Sequence, residues 1–440
     1  MKQIIILLFC LFSLFTNSVY AQPLLTLEEA VATVLKNNYD IQLRKNDSAV
    51  FALNNSYANA AFLPDFNAAT TMLLNNNNTK QTLADGTQKN QSGIRSNNIQ
   101  ASVNMNWTIF DGFKMFATKK KLSAYVNLGN LEIKQELENT IAKTISTYYF
   151  IVSQKQQLRA IEDQMNINNE LVLQAEKKLS VGLGAKPELL MAKTDLNAQQ
   201  AARFAQLTKI DQLKDQLNQL MSVFPGTSFD VSDSIPINKE ILIADIYSSA
   251  EKNNPALLIA KENIKIATLT LKEKKADRYP TLSAIAAYNF SRNKNQLVVN
   301  NFTPLLNRNY GFNYGLTAVI PIFNKFNVKR QIETAELDIK YQNIILQNET
   351  LKNNIAINSA YKTYNLALQT LSLEEENINL AKENVSIAFE RNRLGLSTYL
   401  DLREAQKTLE LAYNRLITAR FNTKDAETEL LRLTGELLTN

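Results

Sequence analysis

The sequence predicts a mixed fold in which membrane-type β-strands and very long α-helices are laid out twice along one chain. Three observations predict it. The chain is a tandem repeat, four of its segments alternate apolar and polar residues, and two stretches, 113–180 and 326–393, run without a proline.

The repeat is legible in short matches. Lys36-Asn37-Asn38 returns as Lys252-Asn253-Asn254 and Pro64 as Pro280, an offset of 216. Further along the offset is 213: Phe110 matches Phe323, Gly182-Leu183 matches Gly395-Leu396, and Leu189, Ala192 and Leu196 match Leu402, Ala405 and Leu409. One connection between Pro64 and Phe110 is therefore three residues longer than its counterpart. The repeats span 22–222 and 241–434, joined by 223–240 with the breakers Pro225, Gly226 and Pro236, and a short tail follows at 435–440. Each half reads as helix, strand, loop, strand, long helix, helix.

Residues 1–21 read as a signal peptide, with Lys2 ahead of the apolar run Ile4 to Phe15 and a cleavage site at Val19-Tyr20-Ala21. The single cysteine, Cys10, lies in that segment behind Phe9, where a lipoprotein signal needs a small residue. Beyond the leader there is neither Cys nor His, which excludes disulfides, thiol catalysis, Cys/His zinc sites and His-based triads. The net charge of +6 is dispersed, unlike the basic stripe of a nucleic-acid interface. No stretch after the leader has the apolar length of a membrane helix, so a membrane-inserted chain must use strands.

The strands are expected at about 65–74, 99–109, 281–291 and 310–320. In the second, Ile99, Ala101, Val103, Met105, Trp107 and Ile109 alternate without a break with Gln100, Ser102, Asn104, Asn106 and Thr108. Ile99, Val103, Met105 and Trp107 are the expected lipid-facing set, with Trp107 near one end as an interfacial aromatic. The third is less regular, because Ile285 and Ala287 interrupt its polar series. The segments 75–97 and 292–309 read as polar, Asn-rich external loops. A soluble sandwich also contains alternating strands; four of bilayer length behind a leader favour the membrane. Four strands cannot close a barrel, and open edges in lipid would leave backbone groups unpaired, so the barrel must be shared between chains.

The helices are expected at about 113–180, 184–222, 326–393 and 397–434. In the last, Leu402, Leu409, Leu416 and Leu430 form one series at multiples of seven, and Ala405, Ala412, Ala419, Ala426 and Leu433 a second, three residues on. That is an a/d seam with small residues permitting close approach.

Several motifs together resemble the TolC-like outer-membrane efflux proteins over essentially the whole mature chain. They are Leu-Thr-Leu-Glu-Glu-Ala at 25–30, Asn37-Asn38 with Asn253-Asn254-Pro255, and the turns Ile109-Phe110-Asp111-Gly112 and Pro321-Ile322-Phe323-Asn324. The stretch from Gly395 through Leu396, Ser397, Thr398 and Asp401 to Gln406 is similar to the family's hairpin at the periplasmic tip. The resemblance implies a homotrimer with a twelve-stranded barrel in the outer membrane and a twelve-helix tunnel in the periplasm of a Gram-negative bacterium. It implies an outer-membrane channel of a tripartite efflux pump or type I secretion system, a passive duct for small molecules or proteins. The implied partners are a periplasmic adaptor and an inner-membrane transporter of RND or ABC type, with no cofactor. The tips Gly182, Leu183, Gly395, Leu396 and Ser397 are then the adaptor contacts. The first half departs from the tip pattern with Lys186 and Pro187, and Ser397 stands where the family pattern can carry a basic residue.

Asp401 and Glu404 share a helix face and, by resemblance, match the family's acidic residues at the periplasmic entrance. A threefold axis would gather six such carboxylates into a cation-attracting ring, where mutual repulsion raises pKa values. Thr398 with Asp401 also reads as a capping box, which needs no gate. No phosphate-binding loop, dinucleotide motif or metal spacing points to an enzyme, and Glu374-Glu375-Glu376 reads as a solvated helix face. A structural coiled-coil envelope protein and an autonomous porin are the competing functions. The polar faces of the strands argue against the first, and the long helices against the second.

Overall fold

A computed structural model describes residues 23–237, 243–297 and 304–438. The leader expected at 1–21 lies outside the described residues. In chain order the elements are β1 (Leu24–Leu25), α1 (Leu27–Asn37), α2 (Tyr39–Ser56), a short 3₁₀ turn, β2 (Asp65–Thr82), β3 (Gln88–Phe110), α3 (Lys114–Ser180), α4 (Lys186–Met221) and β4 (Asp230–Val231). The second half supplies α5 (Ile243–Asn253), α6 (Pro255–Ala276), β5 (Thr281–Asn295), β6 (Leu306–Val319), α7 (Asn327–Arg393) and α8 (Tyr399–Thr434). The described residues form two compact units: a helical one within 23–46, 131–258 and 348–438, and a sheet-bearing one within 47–130 and 259–347.

The single helix expected to open each half is two helices, broken at an asparagine. Asn38 leaves the helical region with ψ 128°. Its Oδ1 accepts from the N–H groups of Asp40 and Ile41 at 2.9 and 3.1 Å, which caps α2, and its Nδ2 donates to the carbonyl of Leu220 at 2.9 Å. Asn254 repeats the arrangement, accepting from Ala256 and Leu257 and donating to the carbonyl of Leu433 at 2.8 Å. Both side chains are buried, so these bonds replace lost water. The duplicated Asn-Asn is thus a helix break that also clasps the end of the last helix in its own half.

In the helical unit the expected seam is present. Leu402, Leu409, Leu416, Leu430, Ala405, Ala412, Ala419, Ala426 and Leu433 are all buried. The gap in the leucine series is Thr423, fully buried, whose hydroxyl donates to the carbonyl of Ala419 at 2.8 Å. A polar residue is tolerated there because its helix supplies the acceptor. Ala405, Leu409, Ala412, Leu416 and Ala419 pack on Leu371, Ile378, Ala381 and Val385 of α7, and Ala426, Leu430 and Leu433 on Ile357 and Tyr364. A second cluster joins α1, α3, α4 and the linker through Val34, Tyr148, Val152, Leu217 and Phe229. The described part of the linker is strapped to α3 by Lys155, which meets Asp230 and Asp233 at 2.6 and 2.9 Å. Among the described residues no helix is long and apolar enough to cross a membrane.

The sheet unit carries a four-stranded antiparallel sheet of order β2-β3-β5-β6. Register puts the apolar sets of the four strands on one face. Ala68 pairs with Val103, Val103 with Tyr288 and Tyr288 with Phe312; the next row is Phe66, Met105, Ala286 and Tyr314. The other face is an amide ladder, in which Asn104 donates to Asn67 at 3.2 Å and Asn289 to Asn313 at 2.8 Å. Ile285 joins the polar face, paired with Asn106 and Gly315.

Two expectations need correction here. The segment 75–97 is a long β-hairpin rather than a loop, and only 83–87 turns. Apart from Ile94 both faces of its strands are polar, so it carries no period-two signal, yet its side chains satisfy one another: Asn75 donates to Ser96 at 3.3 Å, and Asn78 accepts from the N–H of Gly93 at 2.9 Å beside a register shift. Likewise β5 runs on to Asn295 and β6 starts at Leu306, so 292–309 is strand at both ends, and its residues 298–303 lie outside the described residues. Ile109 also leaves the regular alternation. A bulge between Thr108 and Phe110 hands the pairing with Leu282 to Phe110.

The strand-to-helix junctions are duplicates in three dimensions. Phe113 and Phe326, equivalent in the repeat, both have positive φ, 69° and 61°. Each turns its ring edge-on to the preceding aromatic, Phe110 and Phe323, at 5.2 and 5.4 Å.

Candidate functional site at the helical hairpins

The hairpins α3–α4 and α7–α8 turn through the same local geometry. Gly182 and Gly395 have φ of 78° and 73°, where a Cβ would be strained. In the first hairpin Leu183 N–H donates to the Lys178 carbonyl at 2.9 Å; in the second Leu396 N–H donates to that of Arg391 at 2.8 Å. This is the helix-ending pattern that Gly at that position permits. The turns leave apolar side chains outside: Leu183 is 84% exposed and Leu396 67%. Ser397 is partly buried, its carbonyl accepting from Asn392 while its Oγ has no partner.

The helices after the turns start differently. Thr398 caps α8: its Oγ1 accepts from Asp401 N–H at 3.2 Å, and the Asp401 carboxylate accepts from Thr398 N–H at 2.9 Å. Ala185 offers α4 no side-chain cap, and Pro187 stands in the first turn instead. Asp401 is thus committed to its own helix. Hydrogen bonds from the Thr398 backbone and hydroxyl hold its carboxyl below the usual aspartate value, with the Arg391 charge adding to them. The upward shift expected of a carboxylate ring belongs to the assembled chains; within one chain the shift is downward. Glu404 is exposed, one turn on, and lines a cleft with Asp401, Arg391 and Asn384.

Three residues that carry no signal of a shared role in the sequence form a polar link between the two hairpins. Asp195 of α4 accepts from Arg403 at 2.9 Å and from the Tyr399 hydroxyl at 3.3 Å. Tyr399 is buried against Leu171, Val172, Ala192 and Leu402. Burial and the neighbouring Asp195 charge push its phenol up to about 12, so it stays a donor at any ordinary pH. Beside this fork lies a polar cleft lined by Gln164, Asn168, Gln199, Glu404, Gln406 and Lys407. Gln406 is buried with its Nε2 unpartnered. Tyr399 and Arg403 stand four apart on one helix face, a visible signal; their partner lies 204 residues away on another helix and has none.

At the sheet, Ile99, Val103, Met105 and Trp107 stand on the shared apolar face as expected. The Trp107 indole N–H is not free: it donates to the carbonyl of Phe62 at 2.8 Å and ties the 3₁₀ turn to β3.

Comparison with known proteins follows from this geometry. The family described as "Outer membrane efflux protein" matches the chain at residues 31–223 and again at 246–436. Outer membrane efflux protein BepC of Brucella suis is 21% identical over 76% of this chain and 72% of its own length. Protein CyaE of Bordetella pertussis is 24% identical over 79% of this chain and 72% of its own length. In fold, the chain is similar to the outer membrane protein VceC of Vibrio cholerae, with a TM-score of 0.74 at 14% identity, covering 93% of this chain and 96% of that one.

Proposed function

The chain belongs to the outer membrane efflux protein family, and from that premise we propose that it is one protomer of a homotrimeric exit duct, serving an efflux pump or a type I secretion system. The carrying observation is the four-stranded sheet, apolar on one face and lined with amides on the other, whose outer strands β2 and β6 have open edges. In lipid those edges require partners. Three copies give twelve strands, enough to close a barrel around a water-filled lumen bounded by Asn67, Asn104 and Asn313. The helices α3, α4, α7 and α8 of three copies would then wall the tunnel. At 67 residues each, α3 and α7 are about 100 Å long.

The duct itself is passive; an inner-membrane transporter of RND or ABC type supplies the energy through a periplasmic adaptor. The exposed Leu183 and Leu396, with Gly182, Gly395 and Ser397, are the surface offered to that adaptor. Gating belongs to the hairpin end. The Asp195 fork holds α8 to α4, so parting those helices costs an ion pair and a hydrogen bond. Asp401 shapes the entrance by starting α8, and Glu404 supplies an exposed charge. Single-channel current in planar bilayers tests this. Asp195→Ala with Arg403→Ala should raise conductance or open probability, and Glu404→Ala should weaken block by divalent cations. Wild-type traces from both variants would place the gate elsewhere.

A further inference from the structure

Four cations stand on the apolar side of the sheet with no anion to meet them. Arg292 pairs with Ile99 on one side and Arg308 on the other, so two guanidinium groups are direct cross-strand neighbours. In the next row outward Lys294 pairs with Asn97, and Arg95 follows on the same face of β3. Like charges placed directly opposite oppose pairing unless something compensates them. The strands do not. β3, β5 and β6 contain no Asp or Glu, and Asp65, the one carboxylate of β2, lies on the other face in the row of Asn106. The connection 296–305 is also without acids. Among the described residues none of the four cations has an ion pair, and the enclosed Nε of Arg292 has no partner at all. The polar face at the same level offers only amides, from Asn98, Asn293 and Asn307.

We propose that this cluster is a binding site for the phosphate groups of a membrane-lipid headgroup. The inference rests on the reading of the apolar face as the lipid face. Immediately inboard of the arginines lies the row Ala101, Phe290 and Tyr310, and then Val103, Tyr288 and Phe312. An anion held by the arginines therefore has an apolar, aromatic surface directly beside it, along which acyl chains would lie. That contiguity selects a lipid over a free anion. The guanidinium fork matches two phosphate oxygens at once, and a pair of arginines with a lysine beyond suits a headgroup with more than one phosphate. Long basic side chains at the edge of an apolar band reach the headgroup level without burying their charge.

The test uses the full-length protein inserted into phosphatidylcholine vesicles, alone or with a minor fraction of bisphosphorylated lipid A or of the same lipid stripped of phosphate. The readout is the temperature at which the assembled species dissociates. The phosphorylated lipid should raise that temperature for the wild type; the stripped lipid, and inorganic phosphate added to plain vesicles, should not. Arg292→Gln with Arg308→Gln should lose most of the rise, Arg308→Gln alone a part of it, and Lys80→Gln, on the far hairpin, none. Arg292→Lys with Arg308→Lys should retain a part of it, above the Gln pair and below wild type, because the charge stays while the fork is lost, and this separates charge from packing should the Gln pair fold poorly. An equal rise in the Gln variants, or from the stripped lipid or inorganic phosphate, would overturn the proposal. Wild type that does not enter plain vesicles would instead refute the membrane reading beneath it.

Discussion

Val103→Arg and Asn104→Arg are adjacent substitutions with opposite expected consequences. Val103 lies on the apolar face between Ala68 and Tyr288, while Asn104 lies on the polar face between Asn67 and Ala287. Along β3, Val103 is four residues from Ile99, whose row carries the arginines, and four from Trp107 at the other margin. Four residues span about 13 Å of strand, and a tilt of roughly 40° leaves about 10 Å of depth on each side. Position 103 is therefore at the middle of the band. An arginine there should cost about 2–4 kcal/mol, a decrease of roughly 30- to 800-fold in the folded-to-unfolded ratio. At 104 the new side chain enters water and loses the bonds that the Asn104 amide gives to Asn67 and Ser102, about 1–2 kcal/mol together. Urea titration of folding into phosphatidylcholine vesicles measures both. Equal destabilisation by the two variants would refute the assignment of faces.

Further outcomes follow from the helices. Leu416→Ala empties a buried site packed on α7 and should cost about 2–5 kcal/mol, read from thermal or denaturant unfolding. The Asp401 carboxyl is held below its usual value, so the ionised cap stabilises α8 above the ordinary aspartate range and is lost as pH falls through the lowered value. Acid unfolding followed below about pH 4 should therefore be shallower in Asp401→Asn than in wild type.

The strands and the seam were legible because each buries one face against a uniform environment, and that imposes a period. Val103, Met105 and Trp107 show a period of two, and Leu402, Leu409 and Leu416 one of seven. Where no face is apolar the period vanishes, which is why β2 beyond Leu74 and β3 before Ile99 read as loop although they pair residue by residue. The break at Asn38 was hidden because asparagine is unremarkable inside a helix until its amide finds Leu220. Asp195 was invisible because its partners come from the other repeat. Asp401 was legible twice, as acid and as cap, and spacing alone cannot rank a local hydrogen bond against a role that needs two more chains.

One chain is proposed to supply a third of a barrel. Native mass measurement of the full-length protein in mild detergent tests it most directly. Three copies per particle are predicted, with monomer appearing only as the sheet unfolds. A folded, bilayer-inserted monomer would contradict the account, since β2 and β6 would then stand in lipid with their edges unpaired.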